Sequence, residues 1–447
     1  MKKYIISACL LLSVFSIQAQ DKWTLRQCID YAIKNNIEIK QQDVAVQSAE
    51  VDLSTSRNSR LPNLNASAGY SLGFGRAKTV SNSSEKIPSS SSSFSFGASS
   101  SMPLFTGFRI SNEIAGKELD LKAAMANLEK AKENMELQVT SYYLDILFKK
   151  EILKVYQEQA ALTQTQVEKT QFLVESGKVA ASQLYDIKAQ LANDELNITN
   201  SQNDLDLSLL NLSQLLNLQT DDLTFDIAEP HIGDVIMDNI SSIVPPRHIY
   251  ETAIAIKPHV KEYEYKLASS KKNLKVAQSG YWPTLDLRLN YDASAYFIND
   301  SKANNQSFFG QYKDSQQEAI GITLSIPIFN RFQTRNQVRT ARLSIQNSEL
   351  ALDNMKLSLY KEIQQAYQSA IAAQAKYTST EKSLAAATES FKYAKEKYEV
   401  GKSSVYEYNE ANTKLISSKS EQVQAKYDFL FRAKILDFYS GKEIDIQ

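Results

Sequence analysis

Two short stretches decide the fold of this chain: SMPLFTGF at residues 101–108 and SIPIFNRF at residues 325–332. Before each stretch, apolar residues alternate with small or polar ones, which is the period of a β-strand with two different faces. After each stretch, apolar residues recur every three or four positions over a long segment, which is the period of an α-helix. This pattern predicts two copies of one strand-to-helix unit.

Other landmarks of the two halves recur at a nearly constant offset. The offset is 221 residues from Pro62 to Pro283, 224 from Pro103 to Pro327 and 224 from Gly177 to Gly401. Agreement of this kind is typical of an internal repeat. We therefore expect a first repeat over residues 20–218, a linker or equatorial segment over 219–246 and a second repeat over 247–447.

Each repeat is expected to contribute short leading helices, two transmembrane β-strands and one long α-helical hairpin. The strands are predicted at about 63–76 and 94–105, and at about 284–296 and 318–329. The hairpins are predicted at 108–218 and 331–440, with polar loops at 77–93 and 299–317. Apolar positions in each hairpin step by threes, fours and sevens, which predicts a seam against another long helix.

The N-terminus is typical of an exported protein. Lys2 and Lys3 precede an apolar segment at residues 5–15, and Ile17-Gln18-Ala19 forms a cleavage site, so residues 1–19 are predicted to be a signal peptide. The apolar segment is too short to span a bilayer as a helix. Cys9 has almost no apolar segment before it, which argues against lipidation.

Composition and motifs argue against nucleic-acid binding and catalysis. The formal net charge is −1, whereas nucleic-acid binders usually carry a basic excess. His231, His248 and His259 lack metal-ligand spacing. Both Gly-Lys pairs, at 177–178 and 401–402, lack the spacing of a phosphate-binding loop. We expect no enzymatic activity, no bound cofactor and no metal site.

The strand faces predict a membrane barrel built from several copies. In the third strand Asp286, Arg288, Asn290 and Asp292 share one face, and we expect that face to line a lumen. A four-stranded sheet with open edges cannot exist in lipid, so the chain must oligomerise. Two copies would give eight strands and three would give twelve; the small, polar face favours twelve. The strand-to-helix junctions are predicted at Pro62, Pro103, Pro283 and Pro327.

Several motifs in this order resemble one known family. They are TLRQCIDYAIKNN at 24–36, LPNL at 61–64, WPTL at 282–285, the two opening stretches and the two glycine breaks. The chain resembles the TolC-like outer-membrane efflux protein family over essentially all of its mature length. The resemblance implies an α+β membrane protein, a homotrimer whose 12-stranded β-barrel continues into a periplasmic α-helical barrel. It also implies a passive exit duct in outer-membrane lipid, coupled through a periplasmic adaptor to an inner-membrane pump.

The resemblance also indicates a periplasmic aperture at the second glycine break. The family's pattern matches Tyr398, Gly401, Ser403, Glu407 and Glu410, where Ser403 replaces a basic residue of the family. Glu407 and Glu410 lie three apart on one helix face, so three copies would place six carboxylates around a pore. The alternative is an ordinary exposed charged face.

The hairpin tips are the expected adaptor-docking surface. Their residues are Gly177, Lys178, Ser182, Gln183, Gly401 and Lys402. The alternative is a helical turn with nothing bound.

A second functional hypothesis is a soluble periplasmic coiled-coil scaffold or adaptor. It predicts extraction without detergent, whereas a duct should fractionate with the outer membrane. The length of the strands and the polar side chains Asp286, Arg288 and Asn290 favour the duct. The sequence does not indicate whether the cargo is drugs, metal ions or polypeptides.

Overall fold

The computed structural model of the chain describes residues 22–78, 86–218, 225–230, 244–298, 305–444 and 446. The predicted signal peptide, His231 and parts of the predicted linker lie outside the described residues. The described chain forms two compact units. The first comprises the residues up to Asp43, from Asn127 to Val260 and from Met355 onward; the second comprises Val44–Ala126 and Lys261–Asn354. Each unit therefore contains parts of both predicted repeats.

The order of elements is the same in both halves, apart from one short helix between the two strands of the second half. In chain order they are α1 (Leu25–Asn35), α2 (Ile37–Asn58), β1 (Asn65–Lys78), β2 (Lys86–Phe105), α3 (Arg109–Glu175), α4 (Ala181–Leu215), α5 (Pro246–Ile256), α6 (Pro258–Ser279), β3 (Thr284–Ile298), α7 (Phe308–Asp314), β4 (Gln317–Ser325), α8 (Gln333–Glu399) and α9 (Val405–Tyr439). Helices α1 and α5 have 11 residues each, α2 and α6 have 22, α3 and α8 have 67, and α4 and α9 have 35. Equal lengths in matched order are what duplication of one unit would produce.

The first unit is built around α1. Thr24 caps this helix: its side chain accepts a hydrogen bond from the Gln27 backbone, and the Gln27 side chain accepts one from the Thr24 backbone. The apolar face of α1 packs into a core shared with the long helices. Fully buried members of that core are Cys28, Ile29, Val139, Tyr143, Ile146, Leu212, Phe429 and Leu430. The backbone of Trp23 also forms hydrogen bonds with the backbone of residues 226 and 228, as in a short β-bridge. The Tyr143 hydroxyl donates to the Ala228 carbonyl at 2.7 Å.

Cys28 gives a simple check of this core. Burial raises the pKa of its thiol to about 12, so the reactive thiolate is scarce at neutral pH. We expect folded protein to resist labelling by iodoacetamide at pH 8 and to label fully in denaturant, as followed by intact mass. Rapid labelling of the folded protein would contradict the packing of α1.

The second unit contains a four-stranded antiparallel sheet in the order β1-β2-β3-β4. Helices α2 and α3 pack beside one another there through Leu53, Ile110 and Ile114. Lys117 and Asp52 add an ion pair of 2.8 Å between the same helices.

Three boundaries differ from the sequence expectation. Strand β2 begins at Lys86 because pairing with β1 overrides the loop preference of the serine-rich stretch. Strand β4 ends at Ser325, ahead of Pro327, which has no N–H to donate to a ladder. Part of the predicted loop at 299–317 forms the short helix α7.

Candidate functional site

The register of the sheet sorts its side chains into an apolar face and a polar face. The apolar face is traced by cross-strand partners, since paired residues point to the same side. These rows are Tyr70–Phe94–Ala295, Ala68–Phe96–Ala293, Met102–Leu287–Ile322 and Ser100–Leu289–Ile320. Every strand thus contributes to one continuous apolar surface.

Much of this apolar surface is open. The side chain of Phe74 is 82% exposed and that of Ile320 is 79% exposed, and Leu64, Ile322 and Leu324 are also exposed. Soluble monomers rarely expose contiguous apolar patches of this kind. The sheet therefore needs a lipid or protein surface against its apolar face.

The opposite face carries small and polar side chains. The four predicted lumen residues all lie on it: Asp292 is opposite Gly97, Asn290 opposite Ser99, Arg288 opposite Ser101 and Asp286 opposite Pro103. Across β1 and β2 the hydroxyls of Ser71 and Ser93 are 2.7 Å apart. This face is suited to water.

The four predicted junction prolines lie near the strand ends. Pro62 precedes β1, Pro283 directly precedes β3 and Pro327 follows β4. Pro103 lies inside β2, where the register against β3 shifts by one residue before Phe105. That irregularity is a β-bulge, a common way to end regular pairing.

A pair of left-handed residues follows the strands at both junctions. Gly107 and Phe108 have φ of 60° and 64°, and Arg331 and Phe332 have φ of 56° and 60°. Two successive left-handed residues turn the chain sharply from β2 into α3 and from β4 into α8. The sequence offered no signal for the second pair because neither residue is glycine.

These two turns should respond oppositely to substitution. Arg331→Gly removes a left-handed L-residue, worth about 1 kcal/mol, and should leave stability equal or slightly raised. Gly107→Ala should destabilise, because the new Cβ would lie 2.6 Å from the Trp282 Cβ. Thermal unfolding of both variants checks this; a stabilising Gly107→Ala change would contradict the junction geometry.

The two predicted hairpin tips have the same backbone structure. The Lys178 N–H donates to Leu173 and the Lys402 N–H to Lys397, at 2.9 and 2.8 Å. Gly177 and Gly401 lie between these bonds with φ of 71° and 72°, a conformation that L side chains rarely adopt. Both glycines therefore end long helices in the same way.

Bulky apolar side chains surround these turns. Gly177, Lys178, Ser182, Gly401 and Lys402 are exposed and Gln183 is half-buried. Beside them Phe172, Tyr185, Val400 and Tyr406 are exposed, each by 66% or more. Sequence reasoning misses these four residues, although their position next to the glycines is a signal that identifies them.

The predicted aperture residues are partly brought together. The Ser403 hydroxyl donates to the Glu407 carboxylate, and Ser404 caps α9 by accepting from the Glu407 backbone at 3.3 Å. The Tyr398 ring packs on the Tyr408 ring with centroids 5.1 Å apart. Glu407 and Glu410 are both exposed. Burial raises the pKa of Tyr408 to about 12, so this aromatic support stays neutral.

Lysine–glutamate pairs join α3 to the second hairpin. Lys426 meets Glu151 at 2.9 Å, Lys419 meets Glu158 at 2.6 Å and Lys169 meets Glu399 at 3.4 Å. The hydrogen bond from Lys419 lowers the pKa of Glu158. The pair therefore stabilises the fold at pH values above the ordinary carboxyl pKa, and this stabilisation is lost as the pH falls through the lowered pKa. The pairs of Lys419 and Lys169 are exposed, and exposed pairs are worth about 0.2–1 kcal/mol each.

An ion pair between the buried Lys257 and the half-buried Glu133 lies at the C-terminal end of α9. Lys257 is 2% exposed; its Nζ is 3.3 Å from a Glu133 oxygen and 3.3 Å from the centre of the Phe438 ring. Burial lowers the pKa of Lys257 and raises that of Glu133, so desolvation outweighs their attraction. At the matching place in the first half, the Asn36 amide donates to the Leu215 carbonyl at 2.8 Å.

Other kinds of site were sought in the described residues. None of the helices there combines the length and apolar character needed to cross a bilayer. The same residues hold no group of three or more His, Cys, Asp or Glu side chains placed to bind a metal ion.

Similar sequences and structures are found among known outer-membrane proteins and channels. BepC, an outer membrane efflux protein of Brucella suis, is 21% identical over 98% of this chain and 90% of its own length. TolC of Escherichia coli is 22% identical over 94% of this chain and 82% of its own length. The Campylobacter jejuni CmeC outer membrane channel superposes with a TM-score of 0.73 at 19% identity, covering 94% of this chain and 87% of CmeC.

A family model gives the same result for both halves of the chain. The model for outer membrane efflux proteins matches residues 28–218 and 249–442. These segments include the strands, junctions and tips described above, and all of the helices except the first three residues of α1 and of α5. The chain therefore belongs to the outer membrane efflux protein family.

Proposed function

We propose that this outer-membrane efflux protein works as a homotrimer whose twelve strands close into one barrel, continued by an α-helical barrel in the periplasm. The sheet carries this proposal: it has one apolar face and one polar face, and within the described residues no strand pairs with the outer edges of β1 and β4. Unpaired edges cannot remain in lipid.

The direction of the edge strands supports closure by copies of the same chain. Successive strands are antiparallel, so β1 and β4 run in opposite directions. Strand β4 of one copy could therefore pair with β1 of the next and continue the antiparallel order. Three copies give twelve strands, with the apolar face toward lipid and the face of Arg288 and Asn290 toward an open lumen.

The proposed role is passive export through a tripartite system. A periplasmic adaptor would contact the hairpin tips at Gly177, Lys178, Ser182, Gln183, Gly401 and Lys402, and join the duct to an inner-membrane pump. The exposed rings of Phe172, Tyr185 and Tyr406 support this, since exposed aromatic groups beside a turn are suited to a protein partner. The soluble scaffold alternative gains no support from the family match, which is to outer-membrane proteins.

Reconstitution tests the duct directly. Detergent-purified protein should have the mass of three chains by light scattering and should give discrete conductance steps in planar bilayers. A folded trimer without conductance would contradict the channel, and a folded protein that needs no detergent would favour the scaffold.

The aperture makes a separate prediction. Replacing Glu407 and Glu410 by glutamine removes six carboxylates per proposed trimer while keeping side-chain size. We expect a higher resting conductance and lower cation selectivity, measured as reversal potential in a KCl gradient. Glu389→Gln, an exposed acid elsewhere on α8, is the matched control. Equal behaviour of the two variants would place the aperture elsewhere.

A further inference from the structure

Strand β3 is longer than its partner β4. It has 15 residues against nine, and the last pair in the register is Asp292 with Gln317. Residues 293–298 of β3 therefore continue past the end of β4, and no strand among the described residues lies beside them on that edge. Backbone N–H groups left open at membrane depth are costly.

Side chains from the segment 305–315 take the place of a strand along this edge. The N–H of Ser294 donates to the Ser315 hydroxyl at 2.9 Å, and that of Tyr296 donates to the Gln311 side chain at 2.7 Å. The N–H of Ile298 donates to Asn305 at 3.0 Å, and the Asn305 amide donates back to the Ile298 carbonyl at 2.9 Å. The alternate amides of β3 are thereby satisfied.

Helix α7, within this segment, lies on the apolar face of the sheet. The Phe308 ring is 5.5 Å from that of Phe94, and the Tyr312 ring is 6.0 Å from that of Phe96. The Tyr312 hydroxyl also meets that of Tyr291 at 2.9 Å. The helix is thus on the side that the proposed function turns toward lipid, and on the half of the sheet remote from the helix junctions.

The outer side of α7 carries an aromatic and a basic residue. Phe309 is 80% exposed, and Lys313 is exposed four residues later on the same side of the helix. An aromatic ring beside a lysine that can extend toward head groups is typical of a surface lying at a membrane interface.

We propose that α7 is an interfacial anchor: it closes the free edge of β3 and inserts Phe309 into the lipid leaflet at the loop end of the barrel, with Lys313 at the anionic head groups. The proposal rests on the proposed membrane barrel. A lipid occupant is favoured because the outer side of α7 continues the apolar face formed by all four strands.

Site-directed spin labelling tests the proposal in the assembled protein. Phe309→Cys, Phe74→Cys, Ser67→Cys and Tyr406→Cys would be made in a Cys28→Ala background, labelled and reconstituted in vesicles of phosphatidylcholine and phosphatidylglycerol. The accessibility of each spin label to oxygen and to a water-soluble nickel chelate reports how deeply that label lies in the bilayer. Phe74 is the control for the sheet's apolar face, Ser67 for its polar face and Tyr406 for an exposed hairpin tip.

We expect the labels at Phe309 and Phe74 to favour oxygen, and those at Ser67 and Tyr406 to favour the chelate. A Phe74 label in lipid with a Phe309 label in water would overturn the anchor and leave the barrel intact. A Phe309 label shielded from both reagents would mean that protein, such as a second copy, covers α7, which also overturns the anchor. A Phe74 label in water would instead contradict the barrel itself.

The edge-closing role has its own readout. Gln311→Ala removes the acceptor for the Tyr296 amide, so hydrogen exchange at residues 294–298 should become severalfold faster. Lys313→Ala, on the outer side of the helix, should leave that exchange unchanged. Unchanged protection in Gln311→Ala would overturn the edge-closing role.

Discussion

Ile320→Arg should abolish assembly in the outer membrane, whereas Ala319→Arg should not. The two residues are neighbours in β4 but face opposite sides: Ile320 pairs with Leu289 on the apolar face and Ala319 with Asn290 on the polar face. An arginine facing lipid near the bilayer midplane costs about 2–4 kcal/mol, and a trimer would bear that cost three times. An arginine facing the lumen keeps its hydration.

Membrane fractionation and the heat stability of the oligomer on gels measure this difference. Ala319→Arg should still form heat-stable trimers and should alter conductance, since it adds a ring of charge to the lumen. Equal loss in both variants would show that β4 tolerates no arginine on either face and would remove the support for a lipid-facing side. Normal assembly of Ile320→Arg would contradict the barrel orientation outright.

Glu133→Leu should strongly destabilise the chain, and adding Lys257→Met should restore it. The single change leaves the buried Lys257 ammonium without its carboxylate, which typically costs about 3–5 kcal/mol. In the double variant the methionine retains the packing on Phe438, and the charges of Lys257 and Glu133 are both removed. Replacing a buried pair by apolar groups is often neutral or stabilising.

The pH dependence of stability offers a second test of this pair. Because the pKa of Glu133 is raised, its contribution to the stability of the fold is present below the ordinary carboxyl pKa and is lost as pH rises through the raised value. The lowered pKa of Lys257 has the opposite pH slope: its contribution to stability is present above the ordinary lysine pKa and is lost as pH falls through the lowered value, since the fold favours the neutral amine. The ionised pair is therefore unfavourable near neutral pH.

Denaturant unfolding at several pH values would measure both effects. We expect the double variant to match or exceed the parent near pH 7 and to lack this part of the pH dependence. A double variant as unstable as Glu133→Leu alone would mean that the pair is net stabilising, contrary to the desolvation argument.

Much of the fold could be predicted from periodicity because the chain is long, repetitive and has few breakers. Alternation gave the faces of β1 and β3, and the observed register puts Leu287 and Leu289 on one side and Arg288 and Asn290 on the other. The glycines at 177 and 401 end the long helices as expected. Local pattern is reliable where one face must be apolar throughout.

Other features depend on contacts between residues that are distant in the sequence. The serine-rich start of β2 is a strand only because β1 lies beside it, and α7 has too few residues to display a helical period. Lys257 meets Glu133 across 124 residues, which no local pattern reveals. The positive φ of Arg331 likewise follows from the turn into α8 rather than from residue type.

The acidic pair of the candidate site and its neighbour Ser403 were predictable to different degrees. The acidic pair Glu407 and Glu410 was found through resemblance, but the hydrogen bond of Ser403 to Glu407 was not anticipated. Ser403 stands where the family has a basic residue, and its hydroxyl donates a hydrogen bond to the nearby carboxylate of Glu407. The aperture role of these residues stays a prediction.

The equal lengths of α3 and α8 constrain how this chain can evolve. Near their ends, Lys169 of α3 meets Glu399 of α8 at 3.4 Å. Losing one heptad from α3 alone would draw its end back by about 10 Å, at ~1.5 Å per residue, and would separate these partners. Insertions and deletions in one half should therefore be accompanied by equal ones in the other. We expect shorter or longer relatives to differ by matched pairs of helical turns.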